Sequence, residues 1–419
     1  MSLKRSASPD IIANPFVKKR NLEWTVSVLD NDQPPPPASA SPKDQEEPTT
    51  AGVESGAEST SNHLEIFSKA IATHARPGIP TLSIESYRSL YTSNAGSPVG
   101  AHFVIHQHDH PIAGTHYDLR LQTNETSSVS WAIMYGLPGD VNSTRLNRNA
   151  TETRIHCLWN HLIETASSQT GSLLIWDTGT YTVLPRRSKH EPRVDPSSPR
   201  ASPQSPSPHR TQQQLLHEAF QNRKIRLQLH GARLPQSYVI NLRLTKSEDE
   251  AGRARKPSVR RRRRGDHSKT ASRQPVETSD DNDSDSEDGN LVPKGEEARE
   301  DISAMEREIR EMEDEEVRRT NAYTGAANTI GSVHQRRWYL SLDRRACGFK
   351  PGNGRRWVAD AVEQESEGEA DACRLRYPFY VRGAEAERSI VSGRTGADVL
   401  ADEGVKDFVQ RKGWNAVVT

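Results

Sequence analysis

Residues 103–122 read FVIHQHDHPIAGTHYDLRLQ, placing four histidines, two aspartates and one arginine within twenty positions. Apolar, strand-forming residues frame the stretch. In an extended chain successive side chains point to opposite faces. His116, Asp118 and Arg120 therefore share one face, while Tyr117, Leu119 and Leu121 pack against a core on the other. His108 ends the preceding strand, and the turn PIAG returns the chain so that His116 faces it. Two imidazoles and one carboxylate are a ligand set for a divalent ion that keeps open positions for water or substrate. The mix of His108, His116 and Asp118 suits manganese, zinc or iron. Arg120 is placed to fork onto a phosphate oxygen beside the ion. The bland alternative is a histidine-rich surface hairpin. For any single histidine that alternative is the better one, and only the combination HxxxxxxxHxDxR argues for a site. The facing of His106 and His110, which flank His108, is not settled by the sequence.

The segments around this stretch are also strand-like. HYDLRLQ, SVSWAIMYG, ETRIHCLW, SLLIWDTGTYTVL, KIRLQLHGARL and SYVINLRL are short, β-branched or aromatic, and separated by Gly, Pro or Asn turns. Strands repeated at such close spacing favour an antiparallel sheet or small barrel over a βαβ fold. SNHLEIFSKAIATHAR (61–76) spaces Leu64, Phe67 and Ile71 as a helix would, and a second short helix is expected near SIESYRSLY. Beyond the strands, RRWYLSLDR (336–344) reads as a late strand. YPFYVRG reads as another, with GRTG as the turn into a C-terminal helix.

The chain has 419 residues, 56 of them basic and 56 acidic. Its hydrophobic fraction of 33% and mean hydropathy of −0.82 are low for one packed globule of this length, so solvated segments are expected to dilute the folded part. Residues 1–60, with PPPPASASP, read as a disordered tail. Residues 61–245 read as the β-domain, interrupted by a flexible Pro/Ser-rich loop at 185–210. Residues 246–332 read as a disordered charged insertion, in which DISAMEREIREMEDEEVRRTNAY could form a solvent-exposed helix. Residues 333–419 supply strands and a helix that complete the domain. The insertion carries RRRRR at 260–264 and DDNDSDSEDG at 280–289; like-charge blocks of this kind are commonly solvated interaction tails. Lys4-Arg5, followed after twelve residues by Lys18-Lys19-Arg20, has the spacing of a bipartite nuclear signal, and the pentaarginine is a second candidate. The expected location is the nucleus, otherwise the cytoplasm. No window approaches the roughly 18 apolar residues of a membrane span, and no membrane association is expected. Three widely spaced cysteines (Cys157, Cys347, Cys373) form neither a disulfide framework nor a CxxC zinc set. There is no GxSxG elbow, no P-loop and no GxGxxG, which leaves a hydrolase triad, a nucleoside triphosphatase and a Rossmann dehydrogenase without support.

His161 in LWNHLIET is a candidate general acid or phosphate donor, although one histidine alone is more often structural. His156 and Arg154 compete for the same role.

Taken in order, FVIHQHDHPIAGTHYDLRLQ, SWAIMYGLP, the histidine of LWNHLIET, GSLLIWDTGTY and KIRLQLHGARL resemble the 3′-phosphoesterase domain of bacterial DNA ligase D, over roughly residues 100–245. The later segment from 336 resembles an extension in stand-alone fungal members. The resemblance implies a mainly β fold: a small, closed antiparallel β-barrel with a few flanking helices and long disordered insertions. It implies a manganese-dependent enzyme of DNA repair that removes a 3′-terminal ribonucleoside and then the remaining 3′-phosphate, with zinc or another divalent ion as the alternative cofactor. By motif, His108, His116 and Asp118 match the metal ligands, Arg120 the phosphate-contacting arginine and His161 the second essential histidine. His106 and Arg154 are further candidates for substrate binding. The implied partners are DNA or RNA 3′ ends, together with DNA ligase or other end-joining proteins, since ligase and polymerase modules do not accompany the domain in this sequence. Several family positions differ. The glutamine two residues before the first metal histidine is His106 here, the tyrosine four residues after the second essential histidine is Thr165, and the lysine of the SWAVPKG-like block is Tyr135. The HVEDHPLDY block becomes IHCLWNHLIET, and the N-terminal Arg-Asp pair and glutamate have no clear counterpart in SYRSLYTSNAGSPVG. Two other readings stay open. One is a non-catalytic nucleic-acid-end or protein-binding module of the same fold. The other is an iron(II)-type hydrolase or oxygenase acting on a small molecule.

Overall fold

A computed structural model describes residues 48–185, 210–254, 315–354, 356–360 and 372–418. The basic clusters near the N-terminus, nearly all of the Pro/Ser-rich loop, and the pentaarginine and acidic blocks lie outside the described residues.

Twelve strands are described: β1 (His102–His110), β2 (Gly114–Gln122), β3 (Ser127–Ile133), β4 (Asn147–Glu152), β5 (His156–Cys157), β6 (Thr165–Ser167), β7 (Gly171–Val183), β8 (Lys224–Gly231), β9 (Val239–Arg243), β10 (Arg337–Leu342), β11 (Phe349–Pro351) and β12 (Trp357–Ala359). Eight of them follow the order β1-β2-β3-β4-β10-β9-β8-β7, and β7 pairs back onto β1, which closes an antiparallel barrel. β5 pairs antiparallel with β3, β6 pairs antiparallel with β7, and β11–β12 is a separate hairpin. The late strand at 336–344 is thus a stave of the barrel, and it bridges β4 and β9.

Alternation along the strands builds two cores. Phe103, Ile105, Tyr117, Leu119, Leu121, Trp131, Trp176 and Trp338 fill the barrel interior. The opposite face of β1 and β7 is covered as well. Val104, Leu173 and Ile175 pack outward against Val53, Phe67, Ile71 and Tyr87. These come from helices α1 (Thr50–Glu54), α2 (His63–His74) and α3 (Ile84–Asn94), each opened by a side-chain cap (Thr49, Asn62, Ser83). With helices outside and barrel inside, this wall has both faces buried. A register shift between Ile105 and His106 against β7 marks a β-bulge where the histidine stretch begins. Gly171 starts β7 at φ +74°, and a Cβ there would lie 1.9 Å from the Asp109 carbonyl oxygen, so only glycine lets β7 approach β1 so closely.

Three expectations are corrected. The tail read as disordered to residue 60 is ordered from residue 48, because α1 docks on the outer wall: Val53 is buried and Thr50 Oγ1 donates to Glu403 Oε1 at 2.9 Å. The insertion read as 246–332 has both ends inside the fold. Helix α4 (Gln212–Gln221) precedes β8, and α5 (Lys246–Ala254) and α6 (Glu315–Thr320) bracket the undescribed part. From α5, Asp249 accepts from the buried Arg336 at 2.6 Å; after α6, Asn321, Ile330 and Ser332 are buried. Finally, YPFYVRG is irregular rather than a strand, since Pro378 has no N–H to give a ladder. The C-terminal helix is present as α7 (Gly396–Asp402), opened by a Thr395–Asp398 capping box. Among the described residues, no helix is long and apolar enough to cross a membrane.

Candidate metal and phosphate site

β1 and β2 pair with His108 opposite His116, His106 opposite Asp118 and Val104 opposite Arg120. Directly opposed residues share a face, so these polar side chains project together from the outer wall of the barrel. Offering one atom each, His108, His116 and Asp118 bring three potential ligand atoms within 4.8 Å of one another.

Backbone carbonyls select which nitrogen each histidine presents. His108 Nε2 donates to Thr170 O (2.8 Å), leaving Nδ1 3.6 Å from Asp118 Oδ2. His116 Nδ1 donates to Gly114 O (2.8 Å), leaving Nε2 3.5 Å from Asp118 Oδ1. Locking the tautomer by an outer hydrogen bond is how ligating histidines are oriented in metal sites. The donor set therefore fits a divalent cation. Burial would raise the Asp118 carboxyl, but His116, His108 and Arg120 outweigh it and hold the group well below the usual carboxylate range. Burial also works against a charged His108, yet the hydrogen bond and charge of Asp118 win and raise it. His116 is lowered by burial.

Arg120 is buried, with Nη2 on Asp118 Oδ2 (3.4 Å) and Nη1 on Asn160 O (3.2 Å). Its Nε has no protein partner, and four other buried atoms on the same wall share that state: His106 Nδ1, Ser128 Oγ, Ser130 Oγ and His161 Nε2. Ser130 is opposite Arg120 in the sheet, and Ser128 is opposite Gln122. An unmade buried hydrogen bond costs about 1–3 kcal/mol. The Arg120 Nε–H and the two serine hydroxyls can donate to a ligand rich in acceptor oxygens, whereas His106 Nδ1, on a ring whose Nε2 donates to Ile163 O, is an acceptor.

His161 lies in the 3₁₀ turn Leu158–Leu162, which follows the two-residue β5 directly. Its Nδ1 sits 2.6 Å from His102 Nδ1, which leaves Nε2 for a ligand. His102 was not singled out in the sequence, although it shares the parity of His106 and His108 on β1. His106 Nε2 donates to Ile163 O at 3.1 Å. His156 Nδ1 is held by Arg154 O at 2.9 Å, and the charges of Arg120 and Asp118 bear on its ring. Arg154 is buried with Nη1 on Asn321 Oδ1 (2.9 Å), a contact that holds the chain after α6. His110 serves the turn: its Nδ1 accepts from Ile112 N and Ala113 N.

A further acidic group was missed. Glu54, at the end of α1, has an Oε2 that is buried without a partner, and its carboxyl is raised by burial against the opposing charges of His108 and Arg120. A lone glutamate in a Pro/Ser/Glu-rich stretch carries no sequence signal.

Residues 106–242 match the family described as the DNA Ligase D 3′-phosphoesterase domain. No curated protein matches the chain. The matched segment holds β2 to β9 and nearly all of the site, whereas Glu54, His102 and β10 lie outside it.

Proposed function

We propose that this protein is a metal-dependent 3′-end phosphoesterase, with manganese as the preferred ion, that trims DNA or RNA ends in the nucleus during repair. The observation that carries this reading is the set of unpartnered buried polar atoms around Arg120, next to three convergent metal-ligand atoms. His108 Nδ1, His116 Nε2 and an Asp118 oxygen would hold the ion, which when bound neutralises phosphate charge and lowers the pKa of a coordinated water. Arg120 binds non-bridging phosphate oxygens, and the surrounding low dielectric strengthens that contact as charge develops in the transition state. His161 offers Nε2 to the same phosphate, with its ring fixed by His102. Ser128 and Ser130 can donate hydroxyl hydrogens from the neighbouring strand. Support for a nuclear location rests on the basic clusters at 4–5, 18–20 and 260–264. A DNA ligase or another end-joining protein would act on the trimmed end.

One observation favours a binding-only module instead: Thr165, at the position of the family tyrosine, gives its hydroxyl to Thr50 Oγ1 (3.1 Å). DNA primers ending in a 3′-ribonucleotide or a 3′-phosphate, incubated with manganese or with chelator, separate the two readings. The wild type is expected to shorten or dephosphorylate the primers only with manganese, and His116→Ala to do neither. Primers left intact by the wild type with manganese would leave the binding module.

A further inference from the structure

The chain that follows α6 lies outside the matched family segment and forms one wall of the site. Residues 321–327 run alongside β5. Ala322 and Ile155 form a parallel bridge, Ile155 N donates to Asn321 O (2.9 Å), and Tyr323 N donates to Ile155 O (3.0 Å). Asn321 sits at φ +55°, a backbone state that an asparagine adopts more readily than most residues. Arg154 on its Oδ1 and Ser332 Oγ, which accepts from its Nδ2 at 3.0 Å, fix that turn. On the far side Ala327 N donates to Ser127 Oγ (2.9 Å). The backbone that presents Tyr323 is therefore held at every step.

The Tyr323 ring packs edge-on to His156, with centroids 4.8 Å apart at 65°, yet 40% of the residue remains exposed. Its ring partner His156 pairs with Ser128 on β3, two residues from Ser130, which lies opposite Arg120 in the sheet. A rigidly presented aromatic ring, open on one side and beside a buried arginine with an unpartnered Nε, is the arrangement proteins use to hold a nucleotide: cation on phosphate, ring on base.

We propose that Tyr323 is the platform on which the terminal nucleobase of the 3′ end stacks while Arg120 holds the adjoining phosphate. The proposal rests on the phosphoesterase reading and narrows its substrate class to base-bearing ends of any sequence, because every base has a π-face. His156 acts as a positioning residue by supporting the ring from behind.

Fluorescence anisotropy with 3′-phosphate oligonucleotides tests this, one set ending in a normal nucleotide and a matched set ending in an abasic tetrahydrofuran residue. A stacked base is worth roughly 5- to 150-fold in affinity, and the wild type should prefer the base-bearing end by a factor in that range. Tyr323→Ala should bind both ends equally, at the abasic level, while Tyr323→Phe keeps the preference. In turnover assays the loss in Tyr323→Ala should fall on KM, with kcat within about twofold. Matching melting curves for the Ala and Phe variants exclude a folding defect. Equal binding of the two ends by the wild type, a preference that survives in Tyr323→Ala, or a Phe variant as weak as Ala would each overturn the proposal. Base-dependent binding without manganese-dependent trimming would sink the catalytic reading alone and leave the platform standing.

Discussion

Two carbonyl oxygens, Thr170 O and Gly114 O, make His108 and His116 opposite tautomers and so aim one Nδ1 and one Nε2 at the same carboxylate. Losing Asp118 should therefore cost more than a ligand, since Arg120 loses its counter-charge as well. Asp118→Asn is expected to lower manganese affinity by at least the roughly 10- to 100-fold that loss of an outer-shell partner costs, read by calorimetry or electron paramagnetic resonance. The residue pairing was legible because two-residue periodicity fixes a face. Which nitrogen points inward was not, since the two carbonyls belong to backbone that no side-chain pattern reports. The same histidines set a pH dependence. Burial lowers His102 and His110 to about 3, and lowers His106, His116, His156 and His161. For each, the folded state takes up its proton at lower pH than the unfolded chain, whose imidazoles titrate near pH 6.5. Their stabilisation is present above that pH and is lost as pH falls below it. His108, raised by Asp118, works in the opposite direction, but it is one site against six. Each unbalanced site contributes about 1.36 kcal/mol per pH unit. The metal-free protein should accordingly melt at steeply lower temperature between about pH 6.5 and pH 5; a flat profile there would show that the site histidines are charged in the fold.

At the level of elements, α2 and α3 were readable from Leu64, Phe67, Ile71 and SIESYRSLY, because a helix on a wall needs an apolar stripe. The clasp of the insertion's ends was not readable. Glu152, fully buried on β4, accepts from Arg336 Nε (2.9 Å), Trp338 Nε1 (2.9 Å), Ser332 Oγ (2.5 Å) and Val333 N (2.9 Å), and Arg336 also reaches Asp249 on α5. These partners lie up to 186 residues from Glu152. In sequence Arg336 and Asp249 look like ordinary members of charged stretches. Removing one partner of a buried pair costs about 3–5 kcal/mol, so Glu152→Ala should lower the unfolding free energy by about that amount in urea titrations. Replacing Arg253 on α5, whose ion pair with Asp249 is largely exposed, should cost no more than about 1 kcal/mol. A comparable loss in both variants would mean that burial is not what makes the Glu152 clasp matter.

For the molecule as a whole, antiparallel β architecture was legible from strands at close spacing, and the order of five sequence blocks pointed to closure. Residues 333–419 were expected to complete the domain, with RRWYLSLDR as a late strand; that this strand, β10, is a stave of the barrel between β4 and β9 was not expected. The placement of Tyr323 at the site was not foreseen at all. Both follow from long-range pairing, which local pattern does not encode. The basic tract that starts at the end of α5 and continues into the undescribed residues is expected to act through its charge. Arg253, Arg255, Lys256 and Arg260–Arg264 are eight basic residues, enough to engage several phosphates beyond the one proposed for Arg120. Each phosphate neutralised contributes about 0.9 to the slope of log affinity against log salt on duplex DNA and about 0.7 on single strands. Replacing the five arginines 260–264 by serine should therefore flatten that slope and weaken binding at low salt, while leaving the base-bearing-over-abasic preference and the kcat for 3′-phosphate removal unchanged. Because it removes five positive charges from a chain of zero formal net charge, the variant must be compared on salt slope and not on affinity at one ionic strength. An unchanged slope would assign the tract a role other than binding nucleic acid, such as docking on the acidic block at 280–289.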